Sequence, residues 1–238
     1  MINLTMLVHN RLDLTKQALS SLVAHTPLHA VTLTVLDDVS DEPTAQWLRD
    51  FQTIAWPEGK MRLIRNEVSP GTGLARNQVV AESEQFFGRG RMLYLSDNDV
   101  YFKKDWLQTL ASAYVESVED DYKVVGGYNH PFNGPIAGMP WYRTFGVDIY
   151  PVFALASQSM LLSWHVWDTF GPFCQTPAGK VCQSEDVDFS NRVRGAGFKL
   201  GVVTPPVIVN TGITNSFGEP IPGWQNVLAE APGGVLVE

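Results

Sequence analysis

Three apolar runs in the first hundred residues each end abruptly in a polar cluster. Residues 2–8 run into His9-Asn10-Arg11, residues 31–36 into Asp37-Asp38, and residues 91–95, through Ser96, into Asp97-Asn98-Asp99. Runs of this length and composition match buried strands. Asp and Asn are poor strand formers, so the chain leaves a sheet at each cluster. The intervening segments have helical spacing: residues 12–24 place Ala18, Leu19, Leu22 and Val23 on one face. Residues 43–51 make a short helix, 61–64 a further strand, 74–87 a helix after Gly71-Thr72-Gly73, and 105–115 another helix. Strands alternating with helices predict βαβ units, hence an α/β fold with a mainly parallel sheet flanked by helices.

The second half reads differently. Residues 124–127 and 159–163 are strand candidates, and 185–196 form a helix ending at Gly195-Ala196-Gly197. Residues 199–203 and 207–209 are strands bracketing Pro205-Pro206. Between them, residues 129–151 hold many Gly, Pro and aromatic residues without a clear period, which predicts a long irregular surface excursion. The Gly-, Pro- and Asn-rich tail from Thr211 reads as an ordered loop or a lid.

At 238 residues, 45% hydrophobic and 18% charged, the chain has the composition of a globular domain with a substantial core. No apolar run approaches the roughly 20 residues needed to cross a bilayer. A net charge of −8 disfavours nucleic acid and anionic membrane as partners. The opening Met1-Ile2-Asn3-Leu4-Thr5 lacks the charged stretch of a signal peptide. Without an export signal, Cys174 and Cys182 are expected as reduced thiols and the location as cytoplasmic. No second cysteine pair or closely spaced histidine pair supports a zinc site.

The chemistry sits at the strand ends. Consecutive parallel strands point the same way, so the three polar clusters converge on one rim, where open α/β sheets bind ligands. Carboxylates there can accept hydrogen bonds from base N–H groups and ribose hydroxyls. Asp97 and Asp99, spaced i, i+2, suit a hard divalent cation that also holds phosphates. The same residues also suit a turn with a helix N-cap. The glycine-flanked helix start at residues 71–77 matches neither the dinucleotide fingerprint nor a P-loop. Arg76 falls in the first helical turn, where a cation opposes the helix dipole, so an anionic partner is expected for it. The alternative is a surface pair with Glu67 or Glu82. Glu185, Asp186 and Asp188 open the last helix, where acids are either dipole partners or chemically active. Nothing is framed like a nucleophile elbow.

Taken in order, these segments resemble the GT-A-type glycosyltransferases, most closely family 2. Val8-His9-Asn10-Arg11 is similar to the family's Thr-Tyr-Asn-Arg, and Val35-Leu36-Asp37-Asp38-Val39-Ser40-Asp41 to its Val-Asp-Asp-Gly-Ser-x-Asp. Gly73-Leu74-Ala75-Arg76-Asn77 resembles Gly-x-x-x-Ala-Arg-Asn, and Asp97-Asn98-Asp99 the DxD motif. Gly171-Pro172-Phe173 with Glu185-Asp186-Val187-Asp188-Phe189, then Arg192 and Gly197, resembles the acceptor-side segment. The match covers roughly residues 2 to 210.

The resemblance implies a single Rossmann-like GT-A domain over 1–238, with a nucleotide-binding half at 1–100 and an acceptor-side half at 101–215. Residues 216–238 would be a tail able to act as a lid. It implies donor contacts from Val8, His9, Arg11, Asp37, Asp38, Arg76, Asp97 and Asn98. Asp99, with Asp97, would hold Mn2+ or Mg2+. Asp186, or less favourably Glu185, would be the general base, and Asp188 would orient the helix or the acceptor. Trp141, Tyr142 and Phe145 are aromatic candidates for covering an acceptor sugar, or else pins for the long loop. Two departures stand out: His9 replaces an aromatic residue, and Asn210 stands where a histidine metal ligand is common. The implied function is metal-dependent transfer from a nucleoside-diphosphate sugar, a UDP-sugar foremost, to a glycan or other hydroxyl acceptor, with inversion. The alternatives are a retaining glycosyltransferase, a sugar-phosphate nucleotidyltransferase and a non-catalytic binding module.

Overall fold

Alternating apolar residues in the strands meet helices on both faces of one large sheet. In this computed structural model, residues 1–127, 136, 139, 141–143, 146–174 and 185–212 are described. The elements of the first half are β1 (Ile2–Val8), α1 (Leu12–His25), β2 (Val31–Asp38), α2 (Glu42–Ile54), β3 (Met61–Asn66), α3 (Thr72–Phe87) and β4 (Met92–Asp97). There follow β5 (Val100–Phe102), α4 (Trp106–Ser117), β6 (Tyr122–Gly126), β7 (Tyr142–Arg143), β8 (Asp148–Val152) and β9 (Ser159–Leu162). The chain continues through α5 (Trp164–Phe170), α6 (Glu185–Gly195), β10 (Lys199–Thr204) and β11 (Ile208–Asn210).

The nine-stranded sheet has the order β3-β2-β1-β4-β9-β6-β10-β8-β7. Its first four strands are parallel, β9 and β8 run against the rest, and the other seven strands share one direction. β5 and β11 form a separate antiparallel pair, with Val100 opposite Asn210.

The two faces are read off β1. Leu4, Met6 and Val8 pack with Ala18, Leu19 and Leu22 of α1, Leu48 of α2 and Trp106 and Leu110 of α4. Leu7 points the other way, to Leu36 of β2 and Ala75 and Val79 of α3. Beyond it, Leu93 and Leu95 of β4 join Val80, Trp164 of α5, and Phe189 and Val193 of α6. Each buried Leu, Met, Val or Phe among them stabilises by about 1.5–3 kcal/mol relative to exposure. Local signals set the helix starts: Asp41 accepts from Thr44 N at 3.1 Å at the head of α2, and Ser163 accepts from Val166 N at 3.2 Å at the head of α5.

Two expectations are corrected. Residues 129–151 are not wholly irregular, because β8 pairs antiparallel with β10 and β7 adds to its far side. Buried Ile149, Tyr150 and Val152 supply the apolar content that the surrounding Gly and Pro disguise. Cys174 is disulfide-bonded rather than a reduced thiol, while Cys182 lies outside the described residues. The missing export signal bore on compartment, whereas pairing depends on how closely the backbone brings two cysteines together. Among the described residues no helix is long and apolar enough to cross a membrane.

Candidate active site

β1 lies between β2 and β4, so the chain order reverses beside it and the carboxyl ends of β1 and β4 open a crevice. The turn after β1 is strained. Asn10 and Arg11 have φ of 55° and 60°, and Val39, where the resembling motif has glycine, has φ of 60°. Left-handed conformations disfavour residues with a Cβ, most of all β-branched ones. Hydrogen bonds hold the turn: Asn10 N donates to Ser40 Oγ (2.8 Å), Asp41 N to Asn10 Oδ1 (2.7 Å), and Asn98 Nδ2 to Asn10 O (3.0 Å).

On the β2 side, His9 Nδ1 lies 2.6 Å from the Asp38 carbonyl. A carbonyl only accepts, so Nδ1 carries the proton and Nε2 is left to accept from Asn10 Nδ2 at 3.2 Å. Asp37 accepts from Ser40 N (2.9 Å) and Arg65 Nη1 (2.7 Å). Asp38 accepts from Asn66 Nδ2 (2.9 Å) and Ser69 Oγ (2.5 Å). Both carboxylates are buried and fixed in place, with lone pairs remaining for a ligand.

On the β4 side four carboxylates gather around one guanidinium. Arg76, 2% exposed, pairs with Asp97 and donates to the Ser96 carbonyl at 3.4 Å, not to Glu67 or Glu82. Burial raises the pKa of Glu185 and of Asp186, and the nearby Arg76 charge works against both shifts. Asp99 is pushed up to about 6 by burial and then by Asp97, with Arg11 and Arg76 opposing. The heads of α3 and α6 meet here because Gly73 has no side chain. A Cβ on Gly73 would stand 3.0 Å from the Cys174 carbonyl and 3.5 Å from Glu185 Cβ. Asn77 completes the joint, donating to Phe173 O (3.0 Å) and accepting from Phe173 N (2.9 Å).

Of the residues expected at the site, His9, Arg11, Asp37, Asp38, Arg76, Asp97, Asp99, Glu185 and Asp186 are brought to this rim. Others have different surroundings. The Val8 side chain is wholly in the core, so only its backbone can face a ligand. Asn98 spends its amide on Asn10 O and Thr15 Oγ1 (2.7 Å), bracing the strained turn. Asp188 pairs with Arg192, which also donates to the Pro172 carbonyl at 2.9 Å. Tyr142 lies on β7, five strands from β4 and so on the order of 24 Å away across the sheet. Its hydroxyl donates to Glu116 O at 2.6 Å. The neighbouring Trp141 is 44% exposed and lies 5.3 Å, ring to ring, from Tyr150. Phe145 is outside the described residues. Sequence reasoning missed Arg65, Asn66 and Ser69; the polar end of β3 was a fourth cluster on the same rim, in register with Asp37 and Asp38.

A divalent metal fits the β4 end. Asp99 Oδ1 is buried with no hydrogen-bond partner among the described residues, an unused anionic donor of the kind a hard cation takes. Asp97 is the second carboxylate in reach of the same end. Asn210 is otherwise engaged, its Oδ1 accepting from Gly212 N (2.7 Å) and its Nδ2 donating to Gln158 (2.6 Å). Among the described residues no group of three His, Cys, Asp or Glu converges as a metal cage, so phosphates and water would complete the shell.

The chain matches the family model described as glycosyl transferase family 2 over residues 4–173. It is similar to a solved structure of GalNAc-T7 with UDP, GalNAc and Mn2+: TM-score 0.67, 16% identity, 87% of this chain and 43% of that one. The mannosyltransferase PcManGT from Pyrobaculum calidifontis, in complex with GDP-Man and Mn2+, gives TM-score 0.65 and 14% identity over 91% of this chain and 58% of that one. S. aureus TarS 1-349 in complex with UDP-GlcNAc gives 0.61 and 16% over 87% and 57%. The chain thus spans about half the length of these structures. Among curated proteins none matches it by sequence. At such identities the structural likeness speaks for the GT-A fold, and the family match over well more than half of the chain speaks for descent: this chain belongs to the family 2 glycosyltransferases.

Proposed function

We propose that this glycosyltransferase is metal-dependent and moves a sugar from a UDP-sugar to an acceptor hydroxyl with inversion. The observation that carries this reading is the gathering of Asp97, Asp99, Glu185 and Asp186 around buried Arg76 at the β1–β4 crevice. One end of the crevice suits a base and ribose, through His9, Asp37, Asp38 and the Val8 backbone. The other end suits a diphosphate. Solved neighbours hold UDP, UDP-GlcNAc or GDP-Man, which supports a nucleotide-sugar donor and makes a GDP-sugar the runner-up.

Asp99, with Asp97, would hold Mn2+ or Mg2+, which supplies Lewis-acid stabilisation of charge on the departing phosphate oxygen. Arg76 pairs with Asp97 and orients it towards the ribose. The acceptor oxygen attacks the anomeric carbon and forms the new glycosidic bond. The bond from that carbon to the diphosphate oxygen breaks, and the diphosphate leaves with the electron pair. Asp186 takes the acceptor proton. Its partial burial suits this task, because a carboxyl raised from its usual range is a stronger base once ionised. Glu185, packed against Gly73 and within the field of Arg76, positions the charge cluster.

A donor screen by thermal shift in the presence of Mn2+ tests the reading, because a ligand of the folded state raises apparent stability. UDP-sugars should raise Tm with Mn2+ and much less with chelator. Stabilisation by GDP-sugars alone would move the proposal to the runner-up donor. The anomeric configuration of the product, read by NMR, should be opposite to the donor's; a retained configuration would assign the acids to positioning the sugar.

A further inference from the structure

Arg11 occupies an unusual place. It is the N-cap of α1, makes no side-chain cap, and sits in a left-handed conformation with φ of 60° and ψ of 54°. A cation at a helix N-terminus opposes the helix dipole. Both features are unfavourable, and both follow from a turn braced by Ser40, Asp41 and Asn98, residues of two neighbouring strand ends. What the turn achieves is reach: Arg11 Nη1 crosses the crevice to Asp99 Oδ2, at 2.8 Å.

We propose that Arg11 is the resting counter-ion of Asp99, and that a divalent metal must displace it to bind. The inference rests on the metal reading above and extends it to a residue that positions the ligand carboxylate. Oδ1, the unpaired oxygen, is buried, so a cation that takes it meets the Arg11 charge already on Oδ2 of the same carboxylate. Oδ2 is roofed by the backbone of Gly212, where an added Cβ would collide with Oδ2 and stand 3.2 Å from Arg11 Nη1. The side chains differ in exposure: Arg11 is 23% exposed, while Asp99, at 9%, is held in the strand-end turn. The Thr211 N–H donates to the Asp99 carbonyl at 2.7 Å and fixes that turn from the other side. Two cations compete for one carboxylate, so the ion pair offsets the Asp99 charge when no metal is bound, at the expense of metal affinity. Once displaced, Arg11 remains at the mouth of the crevice, where a diphosphate enters.

The test measures Mn2+ binding to the full chain by electron paramagnetic resonance, without nucleotide and with UDP, for wild type and Arg11→Met. Arg11→Met should bind Mn2+ at least tenfold more tightly without nucleotide. A melting-temperature cycle tells the direct pair from a general charge effect. Arg11→Met should lower the metal-free Tm in the wild-type background and leave it unchanged in Asp99→Asn. Arg11→Lys, which keeps a charge able to pair, should fall between wild type and Arg11→Met in Mn2+ affinity. Equal or weaker Mn2+ binding by Arg11→Met, with wild type binding normally, would overturn the counter-ion role and leave the metal reading standing. An equal Tm loss in both backgrounds would also overturn it. If neither protein binds Mn2+ even with UDP present, the metal reading falls together with this one.

Discussion

Asp186 is ionised at a cost that burial imposes, and that cost has two measurable consequences. As the proposed base it must be deprotonated, so kcat should fall as pH drops through its folded pKa, which lies above the ordinary Asp value of 3.8. Stability moves the opposite way. Below the unfolded pKa both states are protonated and the group contributes nothing. As pH rises past it, the unfolded chain releases the proton first, so stability declines until the raised folded pKa is passed. Glu185, raised by burial from 4.5, adds to the same decline. Asp186→Asn should therefore cut kcat by roughly 10² or more with donor affinity little changed, and leave Tm equal or higher at neutral pH. A Tm loss with unchanged kcat would make Asp186 a structural acid. Arg76 has the reverse character. Replacing it by Met leaves Asp97 without its partner beside three further carboxylates, and should destabilise by about 3–5 kcal/mol, read by urea unfolding.

At the scale of elements, the site depends on the joint between α3 and α6. Gly73 and Asn77, one helical turn apart on α3, bring the Phe173–Cys174 backbone and Glu185 against the helix. Gly73→Val should push Cys174 and Glu185 away, lowering kcat more than it raises the donor KM, since the nucleotide-side strands β1 and β2 are untouched. An equal effect on both constants would mean that α3 itself has shifted. The joint was half legible in the sequence. Gly73, Arg76, Asn77, Glu185 and Asp186 were singled out by their motifs, but nothing in residues 72–77 tells which distant backbone Asn77 clasps. The long strands and helices were readable because their apolar residues keep a period over seven or more positions. α5, seven residues long, and β5, three long, are too short to show one, and they owe their form to tertiary contacts such as Trp164 in the second core and Val100 opposite Asn210. Asp37 and Asp38 were legible as rim residues, while their partners Arg65, Asn66 and Ser69 became visible only through the β2–β3 register.

Across the whole molecule, the sheet divides the work. The parallel set β3-β2-β1-β4 carries the crevice, and the mixed set β9-β6-β10-β8-β7 extends away from it. Trp141, exposed beside β7 and close to Tyr150, is an aromatic face on that far side. If an extended acceptor reaches along the sheet, Trp141→Ala should raise the acceptor KM and leave the donor KM unchanged; a lower Tm alone would make Trp141 a pin for the edge. The central claim is that Asp99 binds the donor diphosphate through a divalent cation at the β1–β4 crevice. Calorimetric binding of UDP with Mn2+, before and after chelation, to wild type and Asp99→Asn tests it most directly. The expected result is tight binding by wild type that chelation abolishes, and binding by Asp99→Asn weakened at least tenfold with the fold intact. UDP binding that is the same with chelator, or the same in Asp99→Asn, would contradict it.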